Sequence, residues 1–148
     1  MMAGIGQSDT KPEMLLRRGL HAMGYRYRLH VRGLPGRPDL VFSARRAVIF
    51  VNGCFWHGHD CHLFRWPGTR IDFWREKISS NVRRDRAVRA KLRETGWRVC
   101  EVWECQLREK KDRQLIAAVF AACAAFLAGD TAYCSVGAPS TVTIDEEV

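Results

Sequence analysis

Residues 39–52 read DLVFSARRAVIFVN. Two short apolar runs flank a turn at residues 44–45, which predicts a β-hairpin. The second run lacks polar alternation, as is typical of a strand buried on both faces. Pairing about this turn would place Asp39 across from Phe50 and Val51. The two predicted strands are residues 39–43 and 46–52.

The segments around the hairpin alternate between helical and extended patterns. A capping box formed by Thr10 and Glu13 marks the start of the first helix. The predicted elements are helices over residues 9–24, 72–95 and about 107–128, and strands over residues 25–32 and 97–103. Their order indicates an α/β sandwich with a mixed central sheet flanked by helices. We expect one domain over residues 1–130 and a flexible acidic tail over residues 131–148.

Composition restricts the class of protein. The chain has 148 residues, 47% of them hydrophobic, and a formal net charge of +8. It contains no apolar run long enough to span a bilayer and no secretion signal, so we expect a protein of the reducing cytoplasm. Its surplus of basic residues favours a polyanionic partner, and nucleic acid is the first candidate. The alternative is a basic protein whose charge only keeps it in solution.

Residues 53–71 follow neither a helical nor a strand pattern and are rich in cysteine and histidine. Such a long ordered loop needs a stabilising element. The loop offers two cysteines and one histidine, and a further cysteine lies just beyond the predicted strand 97–103. Three thiolates and one imidazole suit a closed, structural zinc site. The alternative is incidental cysteines near a histidine. The predicted zinc ligands are Cys54, His59, Cys61 and Cys105; Cys100, Cys123 and Cys134 are interpreted as buried apolar groups or a free tail thiol.

Asp39 begins a strand directly after a turn stiffened by Pro35 and Pro38. If the hairpin forms, its carboxylate meets the histidine-rich loop. Phosphodiester hydrolysis commonly requires Mg²⁺ held by oxygen ligands and a group that moves a proton. Glu13 and His57 could complete such a site, although Glu13 could serve only as a helix cap and His57 could be an ordinary surface histidine.

Several motifs together resemble one known family. They are DTKPE at residues 9–13, PGRPD at 35–39, VIFVNGCFWH at 48–57, FWREKI at 73–78, Asn81, Arg84 with Asp85, GWRV at 96–99 and VWEC at 102–105. In this order and spacing they are similar to the very short patch repair (Vsr) endonucleases, over about residues 2–110.

The resemblance implies a restriction-endonuclease-like core that uses Mg²⁺ to nick duplex DNA on the 5′ side of the thymine in a T:G mismatch. It further implies that Asp39 is the metal-binding catalytic residue, that Glu13 and His57 are its partners, and that Val51 offers a backbone carbonyl to the metal. The same comparison assigns the zinc ligands named above. It assigns DNA contacts to an aromatic wedge and to basic residues: Phe55, Trp56, Trp74, Arg37, Lys77 and Arg84.

Asn52 departs from the pattern, because some relatives have a histidine there. An amide can hydrogen-bond a phosphate or a metal-bound water but cannot act as a general base, so more of the proton transfer falls on His57. We expect a monomer acting on T:G-mismatched DNA at the nucleoid, with mismatch-repair proteins as further candidate partners. Two alternatives stay open: a zinc-stabilised DNA-binding module without catalysis, and a nuclease of the same fold without mismatch preference.

Overall fold

A computed structural model describes residues 10–108 and 112–144. Its helices are α1 (Lys11–Ala22), α2 (Ile71–Glu94) and α3 (Arg113–Ala128), and its strands are β1 (Leu40–Phe42), β2 (Ala47–Asn52), β3 (Arg98–Trp103) and β4 (Tyr133–Val136). The strands form one sheet in the order β1-β2-β3-β4, antiparallel between β1 and β2 and parallel thereafter. The predicted mixed α/β sheet is therefore confirmed.

The sheet separates two apolar layers. On one face, Leu16 of α1 and Val119 of α3 pack with Ile49 and Val102 of the central strands. On the other face, Leu92 of α2 packs with buried valines of β1, β2 and β3. Each fully buried aliphatic side chain contributes about 1.5–3 kcal/mol of transfer free energy, so the two layers hold the sheet between its helices. Among the described residues, no helix is both long and apolar enough to cross a bilayer.

The hairpin forms with the predicted register. Leu40 pairs with Ile49, and the strands are joined by a 3₁₀ turn at Ser43–Arg45 that ends with Arg46 at φ 51°. Continuing this register by one residue sets Asp39 opposite β2, where its Oδ2 accepts a 2.7 Å hydrogen bond from the backbone N–H of Val51. The carboxylate is thereby fixed at the end of the central strand.

The strand expected over residues 25–32 does not form. Only Arg28 pairs with β1, through reciprocal backbone hydrogen bonds with Val41 of 2.8 and 3.0 Å. Tyr25, Tyr27, Leu29 and Val31 are partly buried between exposed neighbours, so the alternation is real. It reflects packing of an extended segment against the sheet edge, and His30, at φ 55°, leaves the strand conformation.

The prediction of a loose tail after residue 130 is wrong for residues 133–136, which form β4 beside β3. Val136 is buried in the core, and this strand covers what would otherwise be an open sheet edge. The chain then returns to the cysteine-rich loop, where the N–H of Val142 donates to the carbonyl of Gly58 at 2.7 Å. The acidic residues 145–148 lie outside the described residues.

The last helix also begins later than expected. The segment after β3 forms a short 3₁₀ turn at Glu104–Gln106, and α3 starts at Arg113, capped by Asp112, whose Oδ1 accepts from the N–H of Leu115 at 3.0 Å. α1 begins at Lys11, two residues later than predicted, and Thr10 caps it as expected, since its hydroxyl accepts from the N–H of Glu13 at 3.3 Å.

Candidate active site and metal centre

A tight turn delivers Asp39 to the site. Gly36 in this turn has φ +74°, and a Cβ there would lie 2.5 Å from Cγ1 of Val88. The position therefore requires glycine both for its backbone conformation and for the close approach of the turn to α2. Pro38, which is buried, then directs the chain into β1. The start of the strand is fixed between the sheet and α2.

Burial raises the pKa of Asp39 from 3.8 to about 7, and the nearby carboxylate of Glu13 adds to the increase. The hydrogen bond from the Val51 N–H acts in the opposite direction. Glu13 is 2% exposed and forms an ion pair with Arg17 at 3.2 Å. Two carboxyl groups close together and shielded from water create a site where a bound cation would stabilise their ionised forms.

His57 lines the same cleft as Asp39 and is held by a residue of α2. Its Nδ1 lies 2.6 Å from Oδ2 of Asp85. A carboxylate accepts only, so it selects the tautomer with the proton on Nδ1 and leaves Nε2 to exchange a proton with a ligand. Sequence reasoning did not include Asp85 among the site residues. The available signal was that Asp85 is the one acid within the basic segment 83–93.

One cleft of about 830 Å³ brings most of the candidate residues together. Asp39 and His57 line it, and exposed basic side chains stand at its border. The predicted site residues along the cleft are Arg37, Asp39, Val51, Asn52, Trp56, His57, Lys77 and Arg84. Residues that sequence reasoning did not select as site residues also line it: Thr10, Asn81, Asp85, Glu101 and Glu104. Glu13, Phe55 and Trp74 are not among the lining residues, because Glu13 lies behind Asp39 and the other two belong to an adjoining aromatic cluster.

The aromatic cluster consists of Phe55, Trp56, Trp74 and Phe64. Phe55 has its ring centre 5.2 Å from that of Trp56 and 5.4 Å from that of Trp74, and Phe64 stacks on Phe55 at 5.7 Å. All four side chains are partly exposed. Trp56 also lines the cleft, so the aromatic cluster adjoins the cleft.

The four predicted zinc ligands converge. The ligand atoms of Cys54, His59, Cys61 and Cys105 all lie within 4.8 Å of one another, and together they could hold a metal ion. The imidazole of His59 stacks on Trp103 at 4.2 Å, and its Nε2 is hydrogen-bonded to the carbonyl of Ala138. Nδ1 therefore faces the cysteines, 3.7 Å from the sulfur of Cys105.

The donor set suits a soft or borderline dication. Burial raises the pKa of the Cys54 and Cys105 thiols, and a bound dication would favour their thiolate forms. Backbone N–H groups already point at sulfur: Cys105 donates to Cys54 Sγ and Leu63 donates to Cys61 Sγ, each at 3.4 Å. Four protein ligands fill a tetrahedron and leave no position open for substrate, which is the arrangement of a structural centre.

The chain thus forms a mixed α/β sheet flanked by helices, with acidic residues and a histidine in a cleft that basic side chains border. A sequence model of the family "DNA mismatch endonuclease Vsr" matches residues 1–63. The type II nicking enzyme V.XorIIP of Xanthomonas oryzae is 48% identical over 109 residues, which cover 74% of this chain and 80% of that protein. DNA mismatch endonuclease Vsr of Escherichia coli K12 is 49% identical over 110 residues, covering 74% and 70%.

Among solved structures, the catalytic domain of the homing endonuclease I-Bth0305I matches with a TM-score of 0.55 and 19% identity, over 81% of this chain and 96% of that one. This likeness supports the fold. The sequence relatives establish more: the chain belongs to the Vsr family of DNA mismatch endonucleases, and it is a DNA endonuclease.

Proposed function

We propose that this endonuclease nicks one strand of duplex DNA on the 5′ side of the thymine in a T:G mismatch, by Mg²⁺-dependent hydrolysis. The observation that carries the proposal is the convergence of Asp39, backed by Glu13, with the His57–Asp85 pair in one cleft bordered by basic side chains. Its relatives' names, mismatch endonuclease and nicking enzyme, supply the substrate class and the single-strand outcome.

The carboxylate of Asp39 and the backbone carbonyl of Val51 would hold Mg²⁺, which favours oxygen ligands. When bound, the ion would act as a Lewis acid on the scissile phosphate and offset the charge of the transition state. Val51 fits this role because it lines the cleft and is tied to Asp39 through its own N–H. Glu13, which is buried near Asp39, would add a second negative charge to the metal-binding site.

His57 would take the proton from the attacking water at Nε2 as the new bond to phosphorus forms. The bond to the 3′ oxygen would break, and this oxygen would leave with the electron pair and take a proton from solvent water. Asp85 would hold the imidazole in the required tautomer and stabilise its protonated form. Asn52 would not take this proton, since its side chain is an amide that cannot act as a general base.

The aromatic cluster would recognise the mismatch as a wedge. Inserting Phe55, Trp56 and Trp74 beside a base pair costs a few kcal/mol of unstacking, and this cost is smallest where the pair is already weak. Arg37, Lys77 and Arg84 would contact phosphates on either side and fix the register. Arg84 is already oriented by a hydrogen bond to Asn81 Oδ1.

Zinc is the ion that we propose for the Cys54, His59, Cys61 and Cys105 centre. Three thiolates and one imidazole are characteristic zinc ligands, and the centre would tie the loop that carries His57 to the end of β3. It would support the active site without taking part in the chemistry.

Nicking of end-labelled duplexes by Asp39→Ala tests the function. We expect the nicking rate to fall to background while binding to a T:G duplex persists, and retained nicking would contradict the assignment. Asp72→Ala, which removes an exposed acid from the first turn of α2, is the matched control. Equal nicking of T:G and fully paired duplexes by the wild type would favour a nuclease without mismatch preference.

A further inference from the structure

Glu101 is a buried acid at the base of the cleft, in the middle of β3, with 3% of its surface exposed. Its carboxylate accepts hydrogen bonds from three different elements. Arg89 of α2 donates at 3.1 and 3.2 Å, Tyr133 of β4 donates its hydroxyl at 2.7 Å, and Asn52 of β2 donates its amide nitrogen at 2.9 Å.

This network determines which way the amide of Asn52 points. An ionised carboxylate only accepts hydrogen bonds, so the nitrogen of Asn52 must face Glu101. Asn52 lines the same cleft as Asp39 and His57 and is 4% exposed, which leaves it little room to turn. The carbonyl oxygen Oδ1 is then the end of the amide that remains for a ligand in the cleft.

The charge of the network is balanced. Arg89 forms an ion pair with Glu101, so its charge is neutralised within this network although Arg89 belongs to the basic segment of α2. A buried ion pair is weak evidence for stability, because desolvation offsets most of its attraction, and such pairs are better attested as devices that fix one geometry. Here the geometry that is fixed is that of Asn52.

We propose that Glu101 is a positioning residue that turns Asn52 Oδ1 into the cleft as a neutral oxygen ligand for the divalent cation, or for a water bound to it. This role of Glu101 rests on the proposed Mg²⁺-dependent function. It follows from chemistry, because a carbonyl oxygen suits a hard cation, whereas the same amide turned round would present N–H groups that repel it.

Glu101→Gln tests the role directly. Glutamine can donate to Asn52 Oδ1, so the amide can invert and present its nitrogen to the cleft. We expect Mg²⁺ binding, measured on the DNA-free protein by isothermal titration calorimetry, to weaken about 10-fold to 100-fold, as is common for groups that orient metal ligands. The Mg²⁺ concentration for half-maximal nicking should rise equally, while DNA affinity measured without Mg²⁺ stays unchanged.

Tyr133→Phe is the matched control, since it removes one hydrogen bond to Glu101 and leaves the contact with Asn52 intact. It should lower thermal stability but not Mg²⁺ affinity. If both variants weaken Mg²⁺ binding equally, Glu101 has only a structural role. In an Asn52→Ala background, Glu101→Gln should have no further effect on Mg²⁺ binding, and an additive effect would also overturn the proposal.

If Glu101→Gln does not fold, the pair Glu101→Leu with Arg89→Leu removes the carboxylate without leaving an unpaired charge, and it should show the same loss of Mg²⁺ affinity. Asp39→Ala distinguishes a failure of the proposed active site from a failure of the positioning role of Glu101. Retained nicking in that variant would refute the catalytic role proposed for Asp39. Loss of nicking there, combined with unchanged Mg²⁺ binding in Glu101→Gln, would refute only the positioning role.

Discussion

At the scale of single residues, the raised pKa of Asp39 links the active site to stability. Folding raises this pKa from 3.8 to about 7, so in the metal-free protein the folded state retains a proton that the unfolded state releases. The free energy of unfolding should therefore fall as the pH rises through this window. Sites arranged for function commonly carry such a cost.

Asp39→Asn should remove this cost, because an amide stays neutral and can still accept from Val51 N–H. In metal-free urea denaturation we expect the variant to be more stable than the wild type at about pH 8, by on the order of a few kcal/mol, and nearly equal to it at about pH 4. Asp72→Asn, at an exposed position, should show no such trend. A stability difference that does not change with pH would contradict the prediction.

The contact between His57 and Asp85 supports a second prediction at this scale. Asp85→Asn keeps an acceptor for Nδ1 but removes the charge that stabilises the imidazolium, and Asp85→Ala removes both. We expect the nicking rate to fall about 10-fold to 100-fold in the first variant and further in the second, within the range of general acid–base catalysis. Affinity for a T:G duplex should hold in gel-shift assays. Equal rates in the wild type and Asp85→Ala would exclude the role.

At the scale of secondary-structure elements, local pattern and turn chemistry were sufficient for the hairpin. The register that places Asp39 opposite β2 follows from the turn position alone, and it is observed. The same reasoning failed for residues 25–32, because alternation reports burial on one side but not a backbone ladder. It missed β4, a strand of four residues whose partner β3 lies far earlier in the chain.

The residues of the candidate site also fall into two groups, those that the sequence predicted and those that it did not. The thiols and imidazole of the candidate metal centre share a chemical signature, so their residue types and the long loop that carries most of them predicted them together. Asp85 and Glu101 have no such signature. Asp85 lies in a basic helix and Glu101 in an apolar strand, and only the packing of α2 on the sheet brings each to the cleft. Their partners, His57 and Asn52, are also remote in sequence.

The segment after β4 supports a prediction of its own. Residues 138–142 pack along the cysteine-rich loop. There the carbonyl of Ala138 is hydrogen-bonded to His59 Nε2, and the carbonyl of Ser140 accepts from the N–H of Asp60 at 3.0 Å. Carbonyl partners of this kind hold a metal-binding imidazole in place. Deleting residues 137–148 should therefore speed metal release to a chromogenic chelator about 10-fold or more. Deleting residues 145–148 alone keeps these contacts and is the control; equal release rates from the two deletions would contradict the role.

At the scale of the whole molecule, helix α2 connects the functional parts. Its first turns contribute Trp74 to the aromatic cluster, its middle contributes Asp85 to the hydrogen bond with His57, and Arg89 contacts the buried carboxylate of Glu101 in β3. Val82 of the same helix packs so closely on Gly58 that a Cβ there would lie 2.9 Å from its Cγ2. The loop that carries His57 and the candidate metal ligands therefore packs against the helix that bears the basic residues.

Because the net charge is +8, we expect the affinity for DNA to fall as the salt concentration rises. Each phosphate neutralised by a basic side chain releases counterions, so the slope of log K against log salt concentration changes by about 0.9 per contact on B-DNA. Lys77→Ala and Arg84→Ala, at the border of the cleft, should each lower the magnitude of this slope by about 1 and weaken binding to T:G and paired duplexes alike. Arg113→Ala removes an exposed charge from α3, on the opposite face of the sheet, and should leave the slope unchanged. Fluorescence anisotropy across a salt series measures all three variants, and a slope that changes equally in Arg113→Ala would mean that binding follows total charge and not the cleft.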